Sequence, residues 1–197
     1  MSKLILVLGG ARSGKSSFAE DIVEKLGGQD VIYVATSEVR DEEMKERVTR
    51  HRQSRPQEWR TVEESKAVSQ ALAELEDDSV VLLDCLTVLL SNLVLADSDL
   101  AEDETDFTLQ AKEEEILAEV ERIIDVGRKK NLELVIVSNE VGQGVVPPYK
   151  LGRVYRDLVG WGNQRVADQA DEVYITYAGL PVEIKELGMK TRAKFNE

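Results

Sequence analysis

Short runs of valine, isoleucine and leucine recur along the chain at Lys3 to Leu8, Val31 to Ala35, Val80 to Leu83, Leu134 to Val137 and Val173 to Tyr177. Brief, nearly unbroken apolar runs of this kind read as strands buried on both faces of a parallel sheet. Between them the apolar residues fall at helical spacing: Phe18, Ile22 and Leu26, closed by Gly27 and Gly28, then Met44 and Val48, later Ile116, Val120, Ile123 and Ile124. Strand and helix therefore alternate, which predicts an α/β fold with a mostly parallel sheet and helices on both faces. In such a sheet, ligands are expected in the crevice at the carboxyl ends of the strands. A last alternation, Leu180 to Ile184, predicts an edge strand near the C-terminus after a turn at Gly179, and Thr191 to Glu197 reads as frayed. Tyr149 to Ala170 reads as a helix whose Gly160 and Gly162 predict a kink or a close helix contact, and with it a candidate subunit interface. The acidic stretch Leu95 to Phe107 reads as a solvated loop without chemistry.

The length of 197 residues suits one large α/β domain, taken here as residues 1–197. Against 25 Lys and Arg stand 38 Asp and Glu, a formal net charge of −13. Such a surface repels phosphate backbones and anionic lipids, so neither nucleic acid nor membrane is an expected partner. The longest apolar candidate, Val80 to Val94, is interrupted by Asp84 and is shorter than the roughly 20 residues a span requires. The single cysteine, Cys85, forms no internal disulfide, and the N-terminus leads directly into a strand, so the expected location is cytoplasmic.

Residues Gly9, Gly10, Ala11, Arg12, Ser13, Gly14, Lys15 and Ser16 fit the P-loop pattern of a glycine, four residues, then Gly-Lys-Ser. The context agrees: the motif follows a strand and opens a helix, so backbone N–H groups and the helix N-terminus converge on one point and can cradle phosphates. Lys15 would reach the β- and γ-phosphates, and the Ser16 hydroxyl would hold Mg²⁺. Asp84 ends a strand and is expected to orient that Mg²⁺; the alternative is a helix cap before Leu86. Cys85 reads as buried filler. The segment from Arg47 to Pro56 gathers basic residues in an acidic protein, including the only histidine, His51. It is a candidate second phosphate-handling site, although spacing alone reads His51 as a half-buried structural residue of a short helix. Trp59 reads as packing, and Glu63 is a candidate acceptor from a nucleoside base or ribose. Asn139 to Pro147 places further polar groups and glycines at the carboxyl-end crevice.

Taken together, GGARSGKS, YVATS (Tyr33 to Ser37), DEEM and HRQSRPQEWRTVE (Asp41 to Glu63), LLDCLT (Leu82 to Thr87), SNEVGQGVVP (Ser138 to Pro147), RVYRD and GNQRVADQADEVY resemble the bifunctional adenosylcobinamide kinase and adenosylcobinamide-phosphate guanylyltransferase family. Leu151-Gly152-Arg153 departs from it, with glycine where the family pattern suggests alanine. The resemblance implies a P-loop NTPase-type fold and two reactions on one substrate arm. ATP or GTP phosphorylates the aminopropanol hydroxyl of adenosylcobinamide, and GTP then donates GMP to that phosphate through a histidine, which is His51 here. It also implies nucleotide contacts from Thr36, Ser37, Glu38, Arg52, Gln53, Ser54, Arg55 and Glu63, and a homotrimer. Other readings of the P-loop remain open: a kinase of another metabolite, which forms no covalent intermediate; a nucleotide-dependent switch, with negligible turnover; and a nucleic-acid-dependent ATPase, which the charge disfavours.

Overall fold

The computed structural model describes residues 2–38, 55–96 and 106–195. Its strands are β1 (Lys3–Gly9), β2 (Val31–Ala35), β3 (Arg60–Glu63), β4 (Val80–Asp84), β5 (Glu133–Asn139), β6 (Glu172–Tyr177) and β7 (Leu180–Glu183). They form one seven-stranded sheet in the order β3-β2-β4-β5-β1-β6-β7. All pairings are parallel except β6 with β7, the expected C-terminal edge strand. The helices are α1 (Lys15–Gly27), α2 (Val68–Ala73), α3 (Leu86–Ala96), α4 (Asp106–Lys129), α5 (Lys150–Gln169) and α6 (Lys185–Ala193).

Because successive side chains of a strand point to opposite faces, each central strand feeds two cores. Leu4, Leu6, Val81, Leu83, Leu134 and Ile136 face one way, against residues of α2 to α5. Ile5, Val7, Tyr33, Leu82, Val135 and Val137 face the other, against Ala19 and Val23 of α1 and the indole of Trp59. The helices thus cover both faces, as the alternation of strand and helix requires. β1 is paired on both sides: Leu6 pairs with Ile136 on one side and Val173 on the other. Each such fully buried aliphatic side chain contributes about 1.5–3 kcal/mol.

Three elements carry little sequence signal. β3 is a partly exposed edge strand with one aliphatic residue in Arg60-Thr61-Val62-Glu63; α2 is six residues long; α6 buries none of its side chains. The stretch expected to fray from Thr191 is helical to Ala193. Along α1 the buried residues are Ala19 and Val23, and Leu26 of the expected stripe is exposed. Met44 and Val48 lie outside the described residues, as does the 97–105 part of the acidic stretch.

Glycine 162 on α5 produces the close helix contact: a Cβ there would stand 3.1 Å from Leu90 Cδ1 of α3. At Gly152 a Cβ would come 2.8 Å from Pro147 Cβ, so the alanine suggested by the family pattern would crowd a rigid ring.

The short α2 is held by a carboxylate that the helical pattern did not single out. Glu119 of α4 is buried, and accepts from the Ser69 backbone N–H at 2.8 Å, the Ser69 hydroxyl at 3.0 Å and Arg122 at 2.9 Å. Replacing it strands the buried Ser69 groups. Glu119→Ala is expected to lower unfolding free energy by about 2–3 kcal/mol, read as a shifted urea midpoint with unchanged slope.

Candidate active site

Parallel pairing aligns the carboxyl ends of β1, β2, β4, β5 and β6 along one edge, and the sequence motifs emerge there together. After Gly9 the chain turns through Arg12, at φ 56, and Gly14, at φ 91, and enters α1 at Lys15. No side chain caps this helix, so no side-chain oxygen competes with a bound anion for its first N–H groups. The loop's carbonyls find partners elsewhere: Gly10 accepts from the Ser13 N–H at 3.3 Å and from Lys15 Nζ at 3.2 Å, and Ser13 accepts from the Gly179 N–H at 2.8 Å. Arg12 stands exposed at the tip. An array of N–H donors with a lysine across it is an anion cradle.

Strand alternation decides where Asp84 points. Leu82 belongs to the core on the α1 face, and Asp84, two residues on, shares that face. The Tyr33 hydroxyl confirms the placement by donating to Asp84 Oδ2 at 2.8 Å. Above the Tyr33 ring, 3.4 Å from its centre, sits the Arg55 guanidinium, a cation–π contact. Glu20 of α1 belongs to the same electrostatic cluster: burial pushes its carboxyl up to about 7, with Arg55 opposing and Asp84 and Asp21 adding to the rise. The structure therefore gathers Lys15, Ser16, Asp84 and Arg55 on the α1 side of the sheet, joined by Tyr33, to which the motif containing it assigned no role, and by Glu20, which stands in no motif.

Other expected contacts occupy the rim. Thr36 is fully buried, and its hydroxyl donates to the Cys85 carbonyl at 2.9 Å and accepts from the Cys85 N–H at 2.9 Å. Its side chain ties β2 to the residue after β4. Ser37 is half-buried; Glu38 accepts from the Ser65 hydroxyl at 2.7 Å. Beneath them Asn92 of α3 donates to the carbonyls of Thr36 at 2.8 Å and Ser65 at 3.1 Å. Glu63 is exposed at the end of β3, in register with Ala35. Asn139 donates to the Thr87 hydroxyl, and the Glu140 N–H donates to the Gly9 carbonyl at 3.2 Å, docking the Asn139 to Pro147 segment beside the P-loop. His51, Arg52, Gln53 and Ser54 lie outside the described residues. Cys85 is buried, and burial together with Asp84 pushes its thiol up, as suits packing rather than nucleophilic chemistry.

This arrangement can be set beside known proteins. The chain matches the family described as cobinamide kinase / cobinamide phosphate guanyltransferase over residues 5–184. The chain belongs to this family of bifunctional enzymes. Among its relatives, the Escherichia coli bifunctional adenosylcobalamin biosynthesis protein CobU is 41% identical over 183 residues, covering 92% of this chain and 99% of that protein. The Pseudomonas aeruginosa bifunctional adenosylcobalamin biosynthesis protein CobP is 39% identical, covering 91% of this chain and 96% of its own length. Among solved structures, one described as an ATPase domain superposes with a TM-score of 0.50 at 11% identity, over 89% of this chain and 69% of that one, a likeness of fold alone.

For a cobinamide kinase / cobinamide phosphate guanyltransferase, the donor set fits a magnesium ion held jointly with substrate. Among the described residues no group of three or more His, Cys, Asp or Glu could hold a metal by itself. One serine hydroxyl and one carboxylate beside a phosphate cradle suit Mg²⁺, which takes few protein ligands and completes its shell with phosphate oxygens and water.

Glu20 supplies a pH test of this cluster. Its folded-state carboxyl is raised from 4.5 to about 7, so in that window the native protein holds a proton the unfolded chain has lost, and this group's contribution to stability falls as pH rises. Glu20→Gln is expected to gain stability relative to the wild type between about pH 5 and about pH 7.5 in paired urea titrations. A difference independent of pH would remove Glu20 from the buried cluster.

Proposed function

We propose that this chain phosphorylates the aminopropanol hydroxyl of adenosylcobinamide with ATP or GTP, then transfers GMP from GTP to that phosphate, yielding adenosylcobinamide-GDP and pyrophosphate. The carrying observation is the P-loop and Asp84 on the α1 face of one carboxyl edge, in a chain of this family. The relatives named as bifunctional adenosylcobalamin biosynthesis proteins support the pathway.

In both reactions the P-loop N–H groups and Lys15 bind the triphosphate and stabilise charge that builds as a phosphorus–oxygen bond breaks. Ser16 and Asp84 would hold Mg²⁺, which when bound neutralises phosphate charge. Tyr33 orients the Asp84 carboxylate. For GMP transfer, a neutral imidazole nitrogen of His51 attacks the α-phosphorus and pyrophosphate departs; the phosphate of adenosylcobinamide phosphate then attacks the same phosphorus and releases the imidazole. Arg55, four residues after His51 in sequence, stands over Tyr33, which brings the end of the basic segment to the Asp84 side of the site. Arg52, Gln53, Ser54, Thr36 to Glu38 and Glu63 are the remaining proposed nucleotide contacts.

His51→Ala should separate the activities. Kinase turnover needs the P-loop and a positioned acceptor, so it is expected to stay within about tenfold of wild type, whereas guanylyl transfer is abolished. Wild-type protein given GTP labelled at the α-phosphate should retain label through denaturation, lose it in acid and keep it in alkali; the variant should take up none. Labelling of the variant would show that His51 is not the nucleophile.

We further propose a cytoplasmic homotrimer, supported by the family resemblance and by exposed apolar residues such as Trp161 and Tyr149 on and beside α5. Light scattering is expected to give three times the 22.0 kDa chain mass; a monomer at micromolar concentration would overturn it.

A further inference from the structure

We infer that Thr176 is a positioning residue of the P-loop: through it the β6–β7 hairpin holds the loop in its triphosphate-binding shape. The inference rests on the reading of Gly9 to Ser16 as the triphosphate site.

Thr176 lies in β6 in register with Gly9 and is 1% exposed. Its hydroxyl donates to the Leu8 carbonyl at 3.0 Å and stands 2.9 Å from the Ser13 hydroxyl. A threonine hydroxyl has one proton. With that proton on Leu8, Ser13 is the donor and Thr176 the acceptor, so a single side chain links the end of β1 to the middle of the loop. Ser13, itself buried, is also held by its backbone, since its carbonyl accepts from the Gly179 N–H at 2.8 Å.

Geometry leaves this clamp little slack. The turn between β6 and β7 carries Ala178 at φ 50 and Gly179 at φ 80, the doubly left-handed pair of a tight hairpin. That turn brings Gly179 against the loop so closely that a Cβ on Gly14 would lie 3.0 Å from the Gly179 Cα. A Cβ on Gly9 would overlap the hydroxyls of both Ser13 and Thr176. Gly9 and Gly14 of the P-loop are therefore required by the hairpin's approach as well as by any phosphate.

A loop whose N–H groups converge needs its carbonyls and side chains satisfied elsewhere. Loss of the Ser13–Thr176 bond frees the loop to populate shapes that do not bind, and apparent affinity falls with the competent fraction. Bound triphosphate reorders the loop, so saturated turnover is spared.

The test uses Thr176→Val, which keeps shape and removes the hydroxyl, beside Thr176→Ser, which keeps the hydroxyl. Thr176→Val should weaken GTP binding with Mg²⁺, measured by calorimetry, by about five- to tenfold. The nucleotide KM of both half-reactions should rise equally, kcat and acceptor KM should hold, and Thr176→Ser should return affinity to within about twofold of wild type. Wild-type affinity in Thr176→Val, a serine variant as weak as the valine one, or a fall in kcat at unchanged KM would each overturn the inference. Ser13→Ala cuts the same bond from the loop side and decides the matter if Thr176→Val does not fold: weaker GTP binding supports the inference, and wild-type affinity overturns it. Lys15→Ala separates the two levels of the argument. If it binds GTP like wild type, the triphosphate reading fails and this inference with it; if it binds weakly while Thr176→Val does not, only the role of Thr176 falls.

Discussion

β1 lies between β5 and β6, pairs in parallel with both, and sends Leu4, Leu6 and Leu8 into one core and Ile5 and Val7 into the other. A strand buried on both faces has its register specified strongly, because a slip by one residue would exchange every side chain between the two packed layers. The position of Gly9, and therefore of the loop that follows it, is inherited from that burial. The same alternation along β4 sends Asp84 to the face on which α1 starts. Site geometry is thus a consequence of how two apolar runs pack, and the loop between β1 and α1 closes over an edge that the cores have already located.

Buried polar side chains then connect the strand ends beneath the site. Thr36 joins β2 to Cys85 through both its backbone groups, Asn92 joins Thr36 to Ser65, Thr87 receives two donors from Asn139, and Asn163 donates to the Asn139 carbonyl. Away from water each such bond is costly to leave unmade, so these residues couple β2, β4 and β5 and the helices α3 and α5 into one support. On the opposite side of β1, Thr176 and Gly179 complete the support from β6 and β7. The rim of the candidate site is consequently built on short, satisfied connections, with Arg12 exposed at the loop tip and Arg55 stacked on the Tyr33 ring.

Charge acts on two scales. The chain carries a formal net charge of −13, which opposes the approach of a polyanion from a distance, yet the site presents N–H donors, Lys15, Arg12 and Arg55 at close range. Local donors dominate once a phosphate is in contact, because opposing distant charges are screened over about 8–10 Å at ordinary ionic strength. Burial pushes the Glu20 carboxyl up to about 7, which lessens the negative charge it adds beside Asp84 below that pH.

The fold class, the P-loop, the place of Asp84 at a strand end and the family were legible in the sequence, since each depends on local order: an apolar run, a spacing of glycines, an acid closing a strand. β3, α2 and α6 were not, because they are short or exposed and draw their stability from neighbours rather than from a periodic apolar face. Glu119, Tyr33, Thr87, Asn92 and Thr176 carried no role that the sequence assigned: Tyr33 and Thr87 stand within motifs whose pattern does not say what their hydroxyls bind, and the other three stand in none. Their bonds to Ser69, Asp84, Asn139, Thr36 and Ser13 span between 50 and 163 positions of sequence, and no local pattern encodes a hydrogen bond across such a distance. What the sequence determined alone is the family, the P-loop pattern and the strand that presents it. Tertiary structure decided which face Asp84 shares with α1 and which hydroxyls brace the loop, because both depend on the packing of segments that are neighbours only after folding.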